Sequence, residues 1–493
     1  MQTRNRRTFL KAALAALPAV AGLPSGHASG TAIARALPRI DGFGGRIIER
    51  GNAAYDSWRR GMVWQMRKPD RFPEMILRPE NLADVQAAVR FAARNRLRMA
   101  VRSGGHQIWG ASVRDGGMLL DLSRFRQFSV PDTAGTARVG PSLWARDVLA
   151  ALEKQDTAFP VAHCPTVPLG GFAMGGGMGL NGDEWDGMAA NCILGGTVVV
   201  ADGSAVPVSE TQNADLLWAM RGGAGALPGV VTELQIKTFD RPAAVYSGTY
   251  AYPLAALDSA LQLLEQVVAA RPRQTEWLAL MTHNPQSTSA DPPDVRKAMV
   301  IRVQVYADDE QQAAPVLDAV AAMPAAGQAA FKTPLVHESY EKLFVDGVDW
   351  RRGFGFGRFG VENAWTDSPR RAIEAIADEF MRAPSWKDHV VIQPKLSRAV
   401  AGDAAFSVAG NTYIGIYSVW ENAEEDEAEI AWLRRMSGKL DEHAVGHYIN
   451  EIDAAEDPRR VRQCYSTAAW ARLRNIRKHW DAHQVMHDFP GLS

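Results

Sequence analysis

Residues 101–110, Val-Arg-Ser-Gly-Gly-His-Gln-Ile-Trp-Gly, limit the fold more than any other stretch of the chain. They close a pattern over residues 71–101: a short apolar run between prolines, a helical periodicity capped at Asn81 or Asp84, and a second apolar run. This predicts a strand–helix–strand unit ending in a turn. A glycine pair in that turn leaves no Cβ between the main-chain N–H groups and a ligand, which suits an anion such as a diphosphate. Arg102 can add a bidentate contact to it, and Ser103, Gly104, Gly105, Gln107 and Gly110 share the turn. An anion site alone does not account for His106 directly after the glycines.

A second stretch, residues 163–180, carries Cys164, Thr166 and Val167 and then Leu169. Six glycines follow: Gly170, Gly171, Gly175, Gly176, Gly177 and Gly179. Such density predicts a backbone that closely approaches something flat or charged. The two stretches, in this order, resemble the berberine-bridge-enzyme-like branch of the vanillyl-alcohol-oxidase, or PCMH-type, FAD-binding flavoproteins. The resemblance implies FAD held bicovalently, His106 on the 8α carbon and Cys164 on C6. It places the residues just named, and Val230, in the cofactor site. Two departures stand out: Asn191-Cys192 where Asp-Asn is common, and Ala226-Leu227-Pro228 where a Gly-Asn-Phe type turn is common.

The fold class expected is α+β. A two-part FAD-binding domain covers 45–241, a substrate domain 242–442, and a segment 443–493 returns to the FAD domain. Strands at 246–252, 276–282 and 299–306, with helices at 254–270 and 310–322, predict an antiparallel sheet covered by helices. Its uncovered face would roof a site, with Gln393 and Tyr413 on candidate site-facing strands. Residues 353–357 read as a loop, and the acidic run 421–429 as a solvated helix start. In the tail, Tyr448-Ile449-Asn450 reads as part of a strand. By resemblance Tyr448 faces the flavin as the catalytic base. A phenol titrates near ~10, so it would need a nearby cation or donor to act at neutral pH.

Several function classes lose support. A formal charge of −1 gives no case for nucleic acid or an anionic membrane as partner. No HExxH or CxxC occurs, so no metal site is expected. The glycine spacings do not fit a nicotinamide dinucleotide fingerprint, and no P-loop is present. Cys192 and Cys464 are left as a disulfide or as two buried thiols. Near the start, Arg6-Arg7 precedes an apolar run at 12–23 that is too short for a stable membrane span, although an uncleaved anchor helix is the alternative. We expect a twin-arginine signal at 1–34, cut after Ala28 or Ala34, and a periplasmic or secreted protein.

The expected function is an exported oxidoreductase that oxidises an alcohol or hemiacetal carbon of a sugar or phenolic alcohol by hydride transfer to flavin N5. The alternatives are oxidative bond formation on an aromatic metabolite and a flavin-bearing binding protein without turnover. The partners are a small-molecule substrate and an external electron acceptor or oxygen. Leu169 stands where the family varies between valine, associated with oxygen access, and leucine, associated with dehydrogenases. With Pro168 beside it, this leans towards a dehydrogenase.

Overall fold

A computed structural model describes residues 39–492, apart from 271–273, 285–286, 289–290, 292, 345–356 and 396–402. The expected signal at 1–34 and residues 353–356 of the expected loop lie outside the described residues. The first sheet comprises β1 (Arg46–Glu49), β2 (Met75–Arg78), β3 (Met99–Arg102) and β4 (Met118–Asp121) in the order β1-β2-β4-β3. The helix Leu82–Asn95 links β2 to β3, capped by the Asn81 side chain accepting from the Asp84 N–H. It buries Val85, Ala88, Val89, Phe91 and Ala92 and ends at Arg96 in the left-handed region, φ 55°. β4 lies between β2 and β3, parallel to both, so the crossover helix is required by the topology.

A second sheet follows: β5 (Thr136–Val139), β6 (Thr157–Ala158), β7 (Ile193–Val200), β8 (Ala205–Val208), β9 (Gly229–Lys237) and β10 (Phe239–Asp240). The order is β5-β9-β7-β8, antiparallel, with β6 and β10 paired separately.

The third sheet has seven antiparallel strands. They are β11 (Ala244–Pro253), β12 (Thr275–His283), β13 (Lys297–Ala307), β14 (Phe331–Glu338), β15 (Arg358–Thr366), β16 (His389–Pro394) and β17 (Thr412–Trp420). They run in the order β14-β11-β13-β12-β16-β17-β15. Side chains alternate across a pleated strand, and each central strand uses both faces. Trp277, Ala279, Ile301, Val303, Ile392, Ile414 and Ile416 join the apolar core with helices Leu257–Ala270, Glu310–Ala321, Pro369–Phe380 and Asp426–Asp441. Leu278, Leu280, Arg302, Gln304, Val391, Gln393, Tyr413 and Tyr417 face a cavity on the other side.

The acidic run is not wholly solvated. Asn422 and Glu425 form a capping box, but Glu429 is only 2% exposed and accepts from Ser418 Oγ at 2.7 Å, because helical spacing turns it onto the sheet. The tail runs beside the first sheet: the Met99 N–H donates to Val485 O at 2.7 Å, and the His487 N–H to Met99 O at 2.8 Å. Cys192 and Cys464 are buried free thiols. No helix among the described residues is long and apolar enough to cross a membrane.

Candidate active site

The turn after β3 is fixed by contacts within the protein. Arg102 donates from Nε to Met62 O at 2.9 Å, from one terminal nitrogen to Asp121 Oδ1 at 2.7 Å, and from the other to Gly104 O at 2.9 Å. These contacts use three of its five N–H donors to shape the turn, and Arg102 also borders the cavity. Asp121 is fully buried, and Arg78 Nε donates to its second oxygen at 2.7 Å. Burial pushes the Asp121 carboxyl pKa up, but the two guanidiniums outweigh it and hold it below the usual value.

His106 lies beyond the turn, stacked on Trp64 with ring centroids 4.5 Å apart. Its Nε2 is 3.1 Å from Thr166 Oγ1, and Cys164 Sγ is 3.5 Å from the same oxygen. Burial, helped by the Arg102 charge, lowers His106 to about 3 against a weaker pull from Thr166, so the imidazole is neutral. Burial raises the Cys164 thiol despite hydrogen bonds from Thr166 and Val167. Both side chains line a cavity of about 470 Å³.

Of the other sequence candidates, Ser103, Gly104, Gly105, Gln107, Val167, Gly171, Gln393, Tyr413 and Tyr448 line this cavity. The remainder are not among its lining residues. Gly110 packs on Pro69 and Val63, and Leu169 and Val230 are core residues. Thr166 stands behind the His106 and Cys164 side chains. The close approaches made by most of the glycine run are to protein. A Cβ would meet Pro141 at Gly170, Asn450 Oδ1 at 1.9 Å from Gly175, Ala189 at Gly177 and Pro160 O at 2.2 Å from Gly179. Gly176 lies against the Tyr448 ring. Gly175 and Gly176 therefore seat the tail, through Asn450 and Tyr448, while Gly170, Gly177 and Gly179 lie close to neighbouring loops.

Tyr448 is not in a strand. It is an extended residue ahead of one 3-10 turn, Ile449–Glu451, held by Asn363 Oδ1 accepting from its N–H at 2.7 Å. Its hydroxyl oxygen accepts from Gly177 N–H at 2.8 Å, Met178 N–H at 3.3 Å and Asn450 Nδ2 at 2.9 Å. Burial, with the nearby Glu451, raises its pKa well above 10 and overrides these donors. Glu451 was missed in the sequence, although it stands one helical turn after Tyr448. Its Oε2 accepts from Tyr413 and from Tyr417, the latter at 2.6 Å. Burial raises the Glu451 carboxyl, against the tyrosine donors and the His163 charge. Beside it, Glu276 accepts from His163, Asn181 N–H at 2.9 Å, Tyr306 Oη at 2.8 Å and Gln393 Nε2 at 3.4 Å.

Residues 73–209 match an FAD binding domain. The FAD-linked oxidoreductase ptmO of Penicillium ochrochloron is 27% identical over 88% of this chain and 94% of its own length. The chain carries an FAD binding domain and is similar over most of its length to FAD-linked oxidoreductases. Two solved structures share the fold. Physcomitrella patens BBE-like 1 has a TM-score of 0.77 at 22% identity, covering 91% of this chain and 97% of that one. A glucooligosaccharide oxidase of Acremonium strictum, whose structure is described as revealing a novel flavinylation, has a TM-score of 0.76 at 20% identity, covering 91% and 96%.

The residues of this cavity fit a flavin. A neutral imidazole and a thiol, the two nucleophiles an FAD tether needs, border one cavity and share one hydroxyl neighbour. A Cβ at Gly171 would have only Ser103 Oγ at 3.8 Å as neighbour, so this edge of the cavity is open to a planar ring.

Proposed function

We propose that the protein is an exported FAD-dependent oxidoreductase that oxidises an alcohol or hemiacetal carbon of a sugar or phenolic alcohol, with the flavin attached to both His106 and Cys164. The observation that carries this reading is the meeting of His106 and Cys164 at one edge of a cavity roofed by Gln393, Tyr413 and Tyr417. When bound, FAD supplies the oxidising power by accepting hydride at N5. The chain's own part is to bind and orient the substrate. Gln393 is fixed by Glu276, and the Tyr448 hydroxyl, fixed by three N–H donors, meets the reacting oxygen. Leu278, Leu280 and Val391 form apolar walls that exclude water.

The electrons pass to an acceptor other than oxygen. Pro168 supports this: its ring packs so tightly over Gly104 that a Cβ there would fall 1.9 Å from Pro168 Cγ, leaving little room at that edge. Export follows from the Arg6-Arg7 leader.

The test is anaerobic mixing of the purified yellow protein with cellobiose, chitobiose and vanillyl alcohol. Bleaching of the flavin and a product two hydrogens lighter, with no new ring, is the expected result. A flavin that stays oxidised with sugars and phenolic alcohols alike overturns the reading. Peroxide released as fast as substrate is consumed overturns the acceptor assignment, and retention of the 1–34 segment in the cytoplasmic fraction overturns export.

A further inference from the structure

We propose that Glu451 is the proton acceptor of this oxidation, and that Tyr448 serves as hydrogen-bond donor to the same substrate oxygen. The inference rests on the functional reading above and assigns its proton transfer to a named pair.

The assignment follows from which groups still have a proton to give or a lone pair to offer. The Tyr448 oxygen already accepts three N–H donors. Its own proton has no acceptor among the described residues, while the side chain borders the cavity. A phenol in that position presents a donor to a ligand. Glu451 is the complement. Its Oε2 is used by the Tyr413 and Tyr417 hydroxyls, and its Oε1 has no hydrogen-bond partner among the described residues. It makes no ion pair among the described residues either. A half-buried ionisable group without an ion-pair partner costs stability, and such groups concentrate at functional sites.

The groups facing Glu451 support the same division of labour. From β17 come Tyr413 and Tyr417, from the segment before Cys164 comes His163, itself engaged by Glu276, and from its own turn comes Tyr448. Burial raises all three tyrosines well above 10, so each is a neutral phenol at neutral pH and has no vacant site for a proton. The carboxylate is the basic member of the cluster.

In the step, the substrate O–H bond breaks and its proton passes to Glu451 Oε1, which becomes a neutral carboxylic acid. The O–H electron pair forms the new C=O bond while the C–H pair leaves as hydride to the bound flavin, the oxidant. Tyr448 donates to the oxygen throughout and offsets the charge that develops there.

The test is the anaerobic rate of flavin reduction across pH 4 to 9, by whichever of cellobiose, chitobiose and vanillyl alcohol reduces the wild type. The wild-type rate should rise through an acid limb whose midpoint lies above the usual glutamate value. Glu451→Gln should lower the rate by roughly 10²–10⁴-fold and erase the limb. Glu451→Asp should restore the limb. Tyr417→Phe should move it to higher pH, because one donor to the carboxylate is lost. Tyr448→Phe should slow reduction and leave the limb in place. Flavin retained on the acid-precipitated variants shows that they fold. A limb that persists in Glu451→Gln, or that disappears in Tyr448→Phe while Glu451→Gln keeps it, overturns the proposal alone. If none of the three compounds reduces the wild type, the functional reading falls and this assignment falls with it.

Discussion

His106 and Cys164, on separate loops, converge on the hydroxyl of Thr166, which lies 3.1 Å from the imidazole Nε2 and 3.5 Å from the thiol sulfur. One hydroxyl can donate to one neighbour and accept from the other, so Thr166 fixes the aim of both side chains. The imidazole, neutral because burial and Arg102 lower it to about 3, keeps a lone pair for bond formation.

Two tethers on one ring should be individually dispensable for holding colour. Acid-precipitated wild-type polypeptide should stay yellow, and His106→Ala and Cys164→Ala should each keep most of the colour through the other bond. The double variant should release it entirely. The measurement is absorbance of the washed, denatured pellet together with the intact mass, and a colourless wild-type pellet would refute bicovalent attachment.

The two glycines of the turn should differ in whether they can be rescued. A Cβ at Gly104 would meet the Pro168 ring at 1.9 Å, whereas at Gly105, where φ is +69°, it would meet the main-chain Met62 O at 2.0 Å. A side chain can be trimmed and a carbonyl cannot. Gly104→Ala should therefore cost about 2–3 kcal/mol and be largely recovered by adding Pro168→Ala. Gly105→Ala should cost at least as much, combining strain with overlap, and resist rescue. Thermal unfolding and flavin content of the four proteins check this.

The sequence made the anchor legible because its signals are local. The glycine pair before His106, the strand–helix–strand period and the Asn81 cap each act over a few residues, and all three recur in the structure. The pairing order of the seven-stranded sheet was not legible, since it joins strands as distant as Thr275–His283 and His389–Pro394. The structural contacts of Arg102 were not legible for a related reason: its partners Asp121 and Met62 O lie elsewhere in the chain, and nothing in residues 101–110 announces them. Glu451 was overlooked because a lone glutamate after Tyr-Ile-Asn resembles any surface residue. It becomes distinctive only when β17 brings Tyr413 and Tyr417 onto it.

Acid should weaken the protein through Glu276. Burial alone would raise this carboxyl, but the His163 charge and the donors from Asn181 and Tyr306 hold it at about 2 in the folded state, against about 4.3 for an unfolded glutamate. A depressed folded pKa gives stability that is fully present above the unfolded value and is lost as pH falls towards 2. The loss should amount to roughly 3 kcal/mol over that window. Urea unfolding from pH 7 to pH 3 should show a steeper decline in the wild type than in Glu276→Gln. Equal slopes would remove Glu276 as the cause.

Base should weaken it through a different pair. Asp388 is fully buried, accepts from Val419 and Ser385 N–H groups at 2.9 Å each, and shares its surroundings with Glu429. Burial first, and the Glu429 charge second, push the Asp388 carboxyl well above the ordinary range. The folded state then holds a proton that the unfolded chain releases near ~3.9. Stability from this pair is therefore full at acid pH and declines as pH rises through neutrality, the opposite sign to Glu276. Glu429→Gln removes the like charge, keeps an acceptor for Ser418, and should flatten the decline by at least about 1 kcal/mol between pH 6 and pH 9. Unfolding free energies of the two proteins at those pH values decide the matter: parallel curves would show that the carboxyl pair does not set the alkaline limit.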